Sequence, residues 1–317
     1  MKAVVVYEPG DTSVLKYVDV PTPHIKPGWS LIKVKGFGIT HSEIFTRQGK
    51  SPSVKFPRIL GIECVGIISE TTDPERLPVG QKVVSMNGEM GRDFDGSYAE
   101  YVLLPNKQIE PVNTNLSWAD LAAVPETYNT AYRGLLQLKL SNCSSLLVRG
   151  GTSGVGIAAL KLARAMEPSL QIYGTSRNEN SREKVLNLGF DDFVHDKENK
   201  LQTKDKFDRI FDLIGAATTI NSLNHLTEGG IVSVTGDMGG IWELNNFDPV
   251  TAIPNDRYMT SFASYRLYSK YLNSLFKLIE EKHIDVHPVK VFRLSEIAKA
   301  HQFLEQQKAP GKVVVLP

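Results

Sequence analysis

The 317-residue chain reads as an α/β protein made of a small β-barrel-like domain and a doubly wound parallel sheet. Three observations carry this reading. The first third consists of short β-branched runs broken by proline and glycine. From Ser145 onward, short apolar strands alternate with helical patterns. A glycine cluster, Gly150 to Gly156 (GGTSGVG), joins the first of those strands to a helix. The length also exceeds what one hydrophobic core usually serves, so two domains are expected.

The elements follow in chain order. Ala3–Val6 and Leu31–Lys35 read as strands, separated by Pro21, Pro23, Pro27 and Gly28. Ile59–Ser69 is apolar and β-branched, with Gly61 and Gly66 marking bulges or close backbone approach. Lys82–Ser85 and Tyr98–Leu104 continue the strand pattern. Leu116–Val124 has helical spacing with Ser117 as its cap, and Thr127–Leu138 is a second helix. Leu146–Arg149 is a buried strand, and Ile157–Met166 is a helix ending near Pro168. Leu170–Thr175 is the next strand. Asn180–Leu188 is a helix with a capping-box spacing, Asn180 to Glu183, and Gly189 at its exit. Phe193–Val194, Arg209–Ile214 and Ile231–Thr235 are further strands. Tyr265–Glu281 is a long helix, and the segment from Gly311 to Pro317 closes the chain as a strand.

Composition narrows the function classes. Thirty-six Lys and Arg against 35 Asp and Glu give a formal net charge of +1. Nothing in that balance favours a nucleic acid or an anionic membrane surface as partner. Two cysteines supply neither a disulfide framework nor a thiolate zinc site. No apolar run approaches the ~20 residues that span a bilayer, and the apolar stretch at the start is too short for a signal peptide. The expectation is a soluble cytoplasmic protein.

The glycine turn is the strongest local signal. Strand, turn and helix follow directly, so unpaired N–H groups at the helix start face a pyrophosphate. Gly151 and Gly156 stand at the first and third positions of a Gly-x-Gly-x-x-Gly fingerprint, and Ser153 stands at the middle one. The expected cofactor contacts are therefore Gly151, Thr152, Ser153, Gly154, Val155 and Gly156. Cofactor choice is read at the end of the following strand. An NAD site wants an acid there for the ribose hydroxyls, but no Asp or Glu occurs between Leu170 and Asn178. Ser176 takes the acid's place and Arg177 follows, a guanidinium suited to a 2′-phosphate. NADPH is the expected cofactor. Gly215 and Gly236, just past two carboxyl strand ends, are expected to face it as well.

The whole chain resembles the medium-chain dehydrogenase/reductase superfamily, and within it the zinc-free quinone oxidoreductase branch. The segments KAVVVYEPG, FPRILGIECVGII, DGSYAEYVLLP, LLVRGGTSGVGIAALKLARA, FDLIG, GGIVSVTG and GKVVVLP carry the resemblance. It implies a GroES-like catalytic domain over residues 1–120, completed by about 285–317. It also implies a Rossmann domain over 121–284, an active site in the cleft between them, and a homodimer. Zinc-dependent members carry a Cys where this chain has Thr40, and a His where it has Ile62. The resemblance thus implies hydride transfer from NADPH to a quinone without a metal. The alternatives are an enone or enal (C=C) reductase, and a non-catalytic NADPH-binding sensor or scaffold.

With no Lewis acid, the acceptor must delocalise incoming charge by conjugation, as quinones and α,β-unsaturated carbonyls do. The proton donor is sought among Thr40, Ser42 and Tyr128, because Phe45 stands where several relatives have a Tyr. Tyr128 belongs to a segment that in relatives lies beside the nicotinamide, and Thr130 of the same segment is expected to touch the cofactor.

Overall fold

The computed structural model describes residues 1–265, 267–306 and 310–317. The chain divides into two compact units. Residues 1–129, 264–277 and 286–317 form the catalytic unit. Residues 130–263 and 278–285 form the nucleotide unit. The first boundary falls at Asn129/Thr130, later than the expected residue 120. The reason is local: the helix Trp118–Ala122 packs on the strand Trp29–Ile39, where a Cβ on Gly36 would lie 2.9 Å from the Ala122 methyl. No helix among the described residues is long and apolar enough to cross a membrane.

In the catalytic unit, Trp29–Ile39 is the central strand. It pairs antiparallel with Glu63–Glu70, Tyr101–Pro105 and Val313–Leu316. Lys82–Met86 and Ile109–Pro111 extend the sheet on one side, and Lys290–Arg293 on the other. A three-stranded sheet formed by Leu15–Asp19, Lys2–Val6 and Arg58–Ile59 covers part of the barrel. The core between them includes Val4, Val6, Ile32, Phe37, Cys64, Tyr98 and Val315. This is the barrel-like domain that the short strands imply.

The nucleotide unit holds a seven-stranded sheet. Its parallel strands run, side by side, Asp192–Lys197, Gln171–Ser176, Ser145–Arg149, Phe207–Asp212, Leu226–Val234 and Tyr258–Ser261. In chain order this is 3-2-1-4-5-6, the doubly wound arrangement with its switch point beside Ser145–Arg149. Lys200–Leu201 adds an antiparallel edge through a turn at Glu198 and Asn199, both with positive φ. Leu147, Phe207, Ile210, Leu223 and Val232 pack on one face of the sheet.

Three elements depart from the sequence reading. Ser117 caps its helix as expected, but the next stretch, Val124–Tyr128, is a π-turn, and the following helix begins at Asn129. The expected capping box from Asn180 to Glu183 does not form. Asn178 instead accepts the N–H of Asn180 at 3.0 Å, and the helix Arg182–Asn187 begins later. The long helix begins at Ser269 rather than Tyr265, because the carbonyls of Ser264 and Tyr265 accept from Asn87 Nδ2 and Gly88 N–H.

Candidate functional site

In the nucleotide unit the glycine turn is shaped by its own hydrogen bonds. Ser153 caps the helix Gly154–Met166, accepting the Gly156 N–H at 3.1 Å and donating to the Gly150 carbonyl at 2.8 Å. The serine thus does structural work at the fingerprint's middle position, and its hydroxyl holds the turn closed. Gly156 is required by close approach: a Cβ there would lie 2.5 Å from the Gly150 oxygen and 2.8 Å from backbone atoms of Gly151. Thr152, Ser153, Gly154 and Val155 remain half-buried at the open end of the turn.

Two other glycines meet beside it. Gly215 has φ +93, and a Cβ there would collide with the Gly236 carbonyl oxygen. Asp212, fully buried, fixes this loop by accepting the N–H groups of Ile214 and Gly215 and the hydroxyls of Thr218 and Ser222. Arg149 closes the network with two bonds to Asp196, at 2.7 and 2.9 Å, and one to Ser222 at 2.9 Å. The carboxyl ends of the first and fourth parallel strands are thereby locked together from below.

Ser176 ends the second strand and accepts the Asn178 N–H at 3.2 Å. Arg177 follows on the surface. Among the described residues its guanidinium has no hydrogen bond or ion pair, and only its carbonyl is engaged, by His195 at 3.2 Å. Arg182 is different, because it pairs with Asp192 at 2.7 Å. Glycines at a helix start fit the pyrophosphate of a nicotinamide dinucleotide. Thr130, at the start of the unit, is buried.

The catalytic unit brings together residues that the sequence keeps far apart. Thr40 caps the helix His41–Arg47, accepting the Ser42 N–H at 3.2 Å. Glu43 Oε2 lies 2.6 Å from the Thr40 hydroxyl and accepts the Thr40 N–H at 2.9 Å, while its Oε1 accepts the Ile62 N–H at 3.3 Å. One buried carboxyl therefore ties Thr40 to Ile62, the positions where zinc-dependent members carry two ligands. Next to it, Lys312 Nζ pairs with Glu63 Oε1 at 2.5 Å, and Glu63 Oε2 accepts the Glu126 N–H at 2.9 Å. Burial raises the Glu43 carboxyl above its ordinary range, and the Glu63 charge adds to this; the Thr40 hydroxyl and Lys312 offset part of it. Burial works against the Lys312 ammonium, but Glu63, Glu126 and Glu43 outweigh it and hold the group above its ordinary value.

This donor set does not fit a zinc ion. Thr40 offers a neutral hydroxyl, Ile62 offers nothing, and the Glu43 oxygens are bonded as described. Among the described residues no three His, Cys, Asp or Glu side chains converge on a metal position.

Ser42 accepts from Arg92 Nη2 at 2.9 Å. Arg92 in turn lines a cavity of about 210 Å³ with Asn87, Gly88, Glu89, Met90, Ser264 and Tyr265. Tyr128 is buried in the π-turn. A larger cavity of about 460 Å³, walled by Trp29, Pro57, Phe94 and their neighbours, contains none of the site residues. Of the proton-donor candidates, Thr40 and Ser42 thus sit on one helix start with a carboxyl behind one and a cavity-lining guanidinium beside the other.

Sequence reasoning missed Glu43, Glu63, Lys312, Arg149 and Asp212. One signal was present: Thr40-x-x-Glu43 has capping-box spacing. Lys312 and Glu63 are 249 residues apart, and no local pattern links them.

The fold and the relatives below define the class: an oxidoreductase of the NAD(P)-dependent kind. Residues 26–114 match the alcohol dehydrogenase GroES-like domain, and residues 183–315 match the zinc-binding dehydrogenase family. The chain is 29% identical over 329 residues to the quinone oxidoreductase of Lama guanicoe, covering 100% of this chain and 97% of that protein. It is 30% identical over 326 residues to the chloroplastic NADPH-dependent alkenal/one oxidoreductase of Arabidopsis thaliana, covering 100% of this chain and 80% of that protein. The structure of the quinone oxidoreductase from Coxiella burnetii superposes with a TM-score of 0.83 at 26% identity, covering 100% of this chain and 99% of that one. The chain belongs to the medium-chain dehydrogenase/reductase superfamily, in its quinone oxidoreductase branch.

Proposed function

We propose that this protein is an NADPH-dependent reductase that passes hydride to quinones without a metal ion. The observation that carries the reading is the buried Glu43 carboxyl, which accepts from the Thr40 hydroxyl and the Ile62 N–H and so engages both positions where metal donors would stand. Without a Lewis acid, the acceptor must itself spread the incoming charge. When bound, NADPH supplies the hydride. The residues Gly151 to Gly156 accept its pyrophosphate at the helix start, Arg177 and Ser176 hold the 2′-phosphate, and Thr130, Gly215 and Gly236 border it. The cavity lined by Asn87, Met90, Arg92 and Tyr265 takes the acceptor, with Arg92 donating toward a developing oxyanion. Thr40, Ser42 and Tyr128 are the hydroxyls available to pass a proton.

A second reading is reduction of alkenals and enones, supported by the Arabidopsis relative's name and by the same need for a conjugated acceptor. Steady-state NADPH oxidation with simple quinones and with alkenals separates the two. Turnover with quinones supports the first reading; turnover confined to alkenals replaces it with the second. Assembly as a homodimer fits the outer edge of Tyr258–Ser261, which is unpaired among the described residues and exposes Tyr258 and Met259.

A further inference from the structure

We propose that Arg149 and Asp212 are positioning residues for the cofactor: their buried network holds the loop from Leu213 to Thr218 in its nucleotide-binding shape before a nucleotide arrives. The inference rests on the cofactor half of the reading above and names what keeps that half in shape.

The topology puts both residues at the decisive place. In a doubly wound sheet a dinucleotide binds in the crevice beyond the carboxyl ends of the strands, where the strand order reverses. That point lies between Ser145–Arg149 and Phe207–Asp212. Arg149 and Asp212 are the last residues of those two strands and are register partners. Each leads directly into a loop at the crevice, Arg149 into the glycine turn and Asp212 into Leu213–Thr218.

Arg149, Asp196 and Asp212 are all buried. A guanidinium has five N–H donors. Those of Arg149 go to both oxygens of Asp196, to the carbonyls of Thr218 and Asn199, and to Ser222 Oγ, at 2.7 to 3.2 Å. Ser222 then donates to Asp212 Oδ2 at 2.6 Å, so one hydroxyl joins the guanidinium to the carboxyl. Asp212 Oδ1 accepts the N–H groups of Ile214 at 2.9 Å and Gly215 at 3.2 Å, and the Thr218 hydroxyl lies within 2.9 Å of both its oxygens.

These bonds shape backbone that lies past the end of its strand, with Gly215 at φ +93. The loop in turn carries its neighbour: the carbonyls of Leu213 and Ile214 accept the N–H groups of Met238 and Gly239 at 3.2 and 2.9 Å. One carboxyl therefore sets the segments around both Gly215 and Gly236. Burying two carboxyls and a guanidinium is a poor route to stability, because packed apolar side chains of similar volume commonly do as well or better. What the charges supply is a single loop geometry. A ligand's apparent affinity falls with the fraction of protein that holds the competent shape.

Three variants of the full chain test this. Asp212→Val removes the acceptor, whereas Asp212→Asn keeps one oxygen for the Ile214 and Gly215 N–H groups. Arg149→Met combined with Asp196→Val removes the ion pair without leaving a lone buried charge. Hydrogen exchange followed by NMR on the nucleotide-free protein reads the loop, and titration calorimetry with NADPH reads the affinity. The Ile214 and Gly215 amides of the parent should be protected without nucleotide. Asp212→Val should lose that protection and bind NADPH roughly 10- to 100-fold more weakly, with KM for NADPH rising more than kcat falls. The double variant should move in the same direction on both readings, and Asp212→Asn should stay close to the parent. Arg177→Ala is the contrast: it weakens NADPH binding as a direct contact and should leave the exchange unchanged. Parental NADPH affinity in Asp212→Val or in the double variant overturns the proposal. So do unprotected amides in the parent, or an Asp212→Asn protein that binds as weakly as Asp212→Val. If the parent binds NADPH but reduces neither quinones nor alkenals, the reaction assigned above fails while binding and exchange still decide the role of the network.

Discussion

Replacing Arg177 with alanine tests how the cofactor is chosen. The guanidinium stands just past the end of the strand Gln171–Ser176, on the surface, and has no partner among the described residues. It therefore has no ion pair to break before engaging a phosphate. A charge-assisted contact contributes about 1.5–3 kcal/mol, or roughly 10- to 150-fold in affinity. Because Arg177 is exposed and its surroundings are wet, the loss should fall toward ~10-fold and shrink as salt is raised. Titration calorimetry with NADPH and NADH in parallel reads both numbers. NADPH affinity should drop while NADH affinity changes little, and the parent's preference for NADPH should narrow by the same factor. Arg182→Ala is the control, since that side chain is already paired with Asp192 and should matter less. An equal loss for both cofactors in Arg177→Ala would refute the 2′-phosphate role.

Three further outcomes follow from the same geometry. Gly156→Ala drives a methyl group into the backbone of the Gly150–Gly151 turn; it should cost ~1–3 kcal/mol in stability and weaken cofactor binding, both readable by thermal unfolding with and without NADPH, and a variant matching the parent on both counts contradicts the packing. His301 is buried between Arg47 and the Tyr98 hydroxyl, and burial, aided by the Arg47 charge, lowers its pKa from 6.5 to about 3. The unfolded chain therefore binds a proton that the folded one refuses between those values, so this contribution is complete above pH 6.5 and is lost as pH falls toward 3; NMR should show a neutral imidazole at pH 5, and an imidazolium there would contradict it. Met259→Lys on the exposed edge strand should convert a dimer to monomers in sedimentation experiments, whereas a monomeric parent removes the dimer from the account.

Much of the fold was legible because it is written locally. The run from Leu146 to Met166 announces strand, turn and helix by composition alone, and the structure differs there by only a few residues at the ends. Exposed or weakly apolar strands were not legible. Leu15–Asp19 buries only its first residue, and Tyr258–Ser261 buries none, so neither shows a hydrophobic period. The glycine turn was readable for the same local reason. The Glu63–Lys312 pair was not, because those residues are joined by folding rather than by spacing. A buried charge looks like any surface charge until its partner is known. Thr40, named as a candidate proton donor, is also bonded to Glu43, and its capping-box spacing to that residue was the one local signal.

The most direct measurement is NADPH-dependent quinone turnover by the purified protein with its metal content determined on the same sample and a strong chelator present. The account predicts full activity in protein that holds no stoichiometric metal, at a rate the chelator does not change. Activity that tracks one bound zinc per chain, lost on its removal and restored on its return, would contradict it.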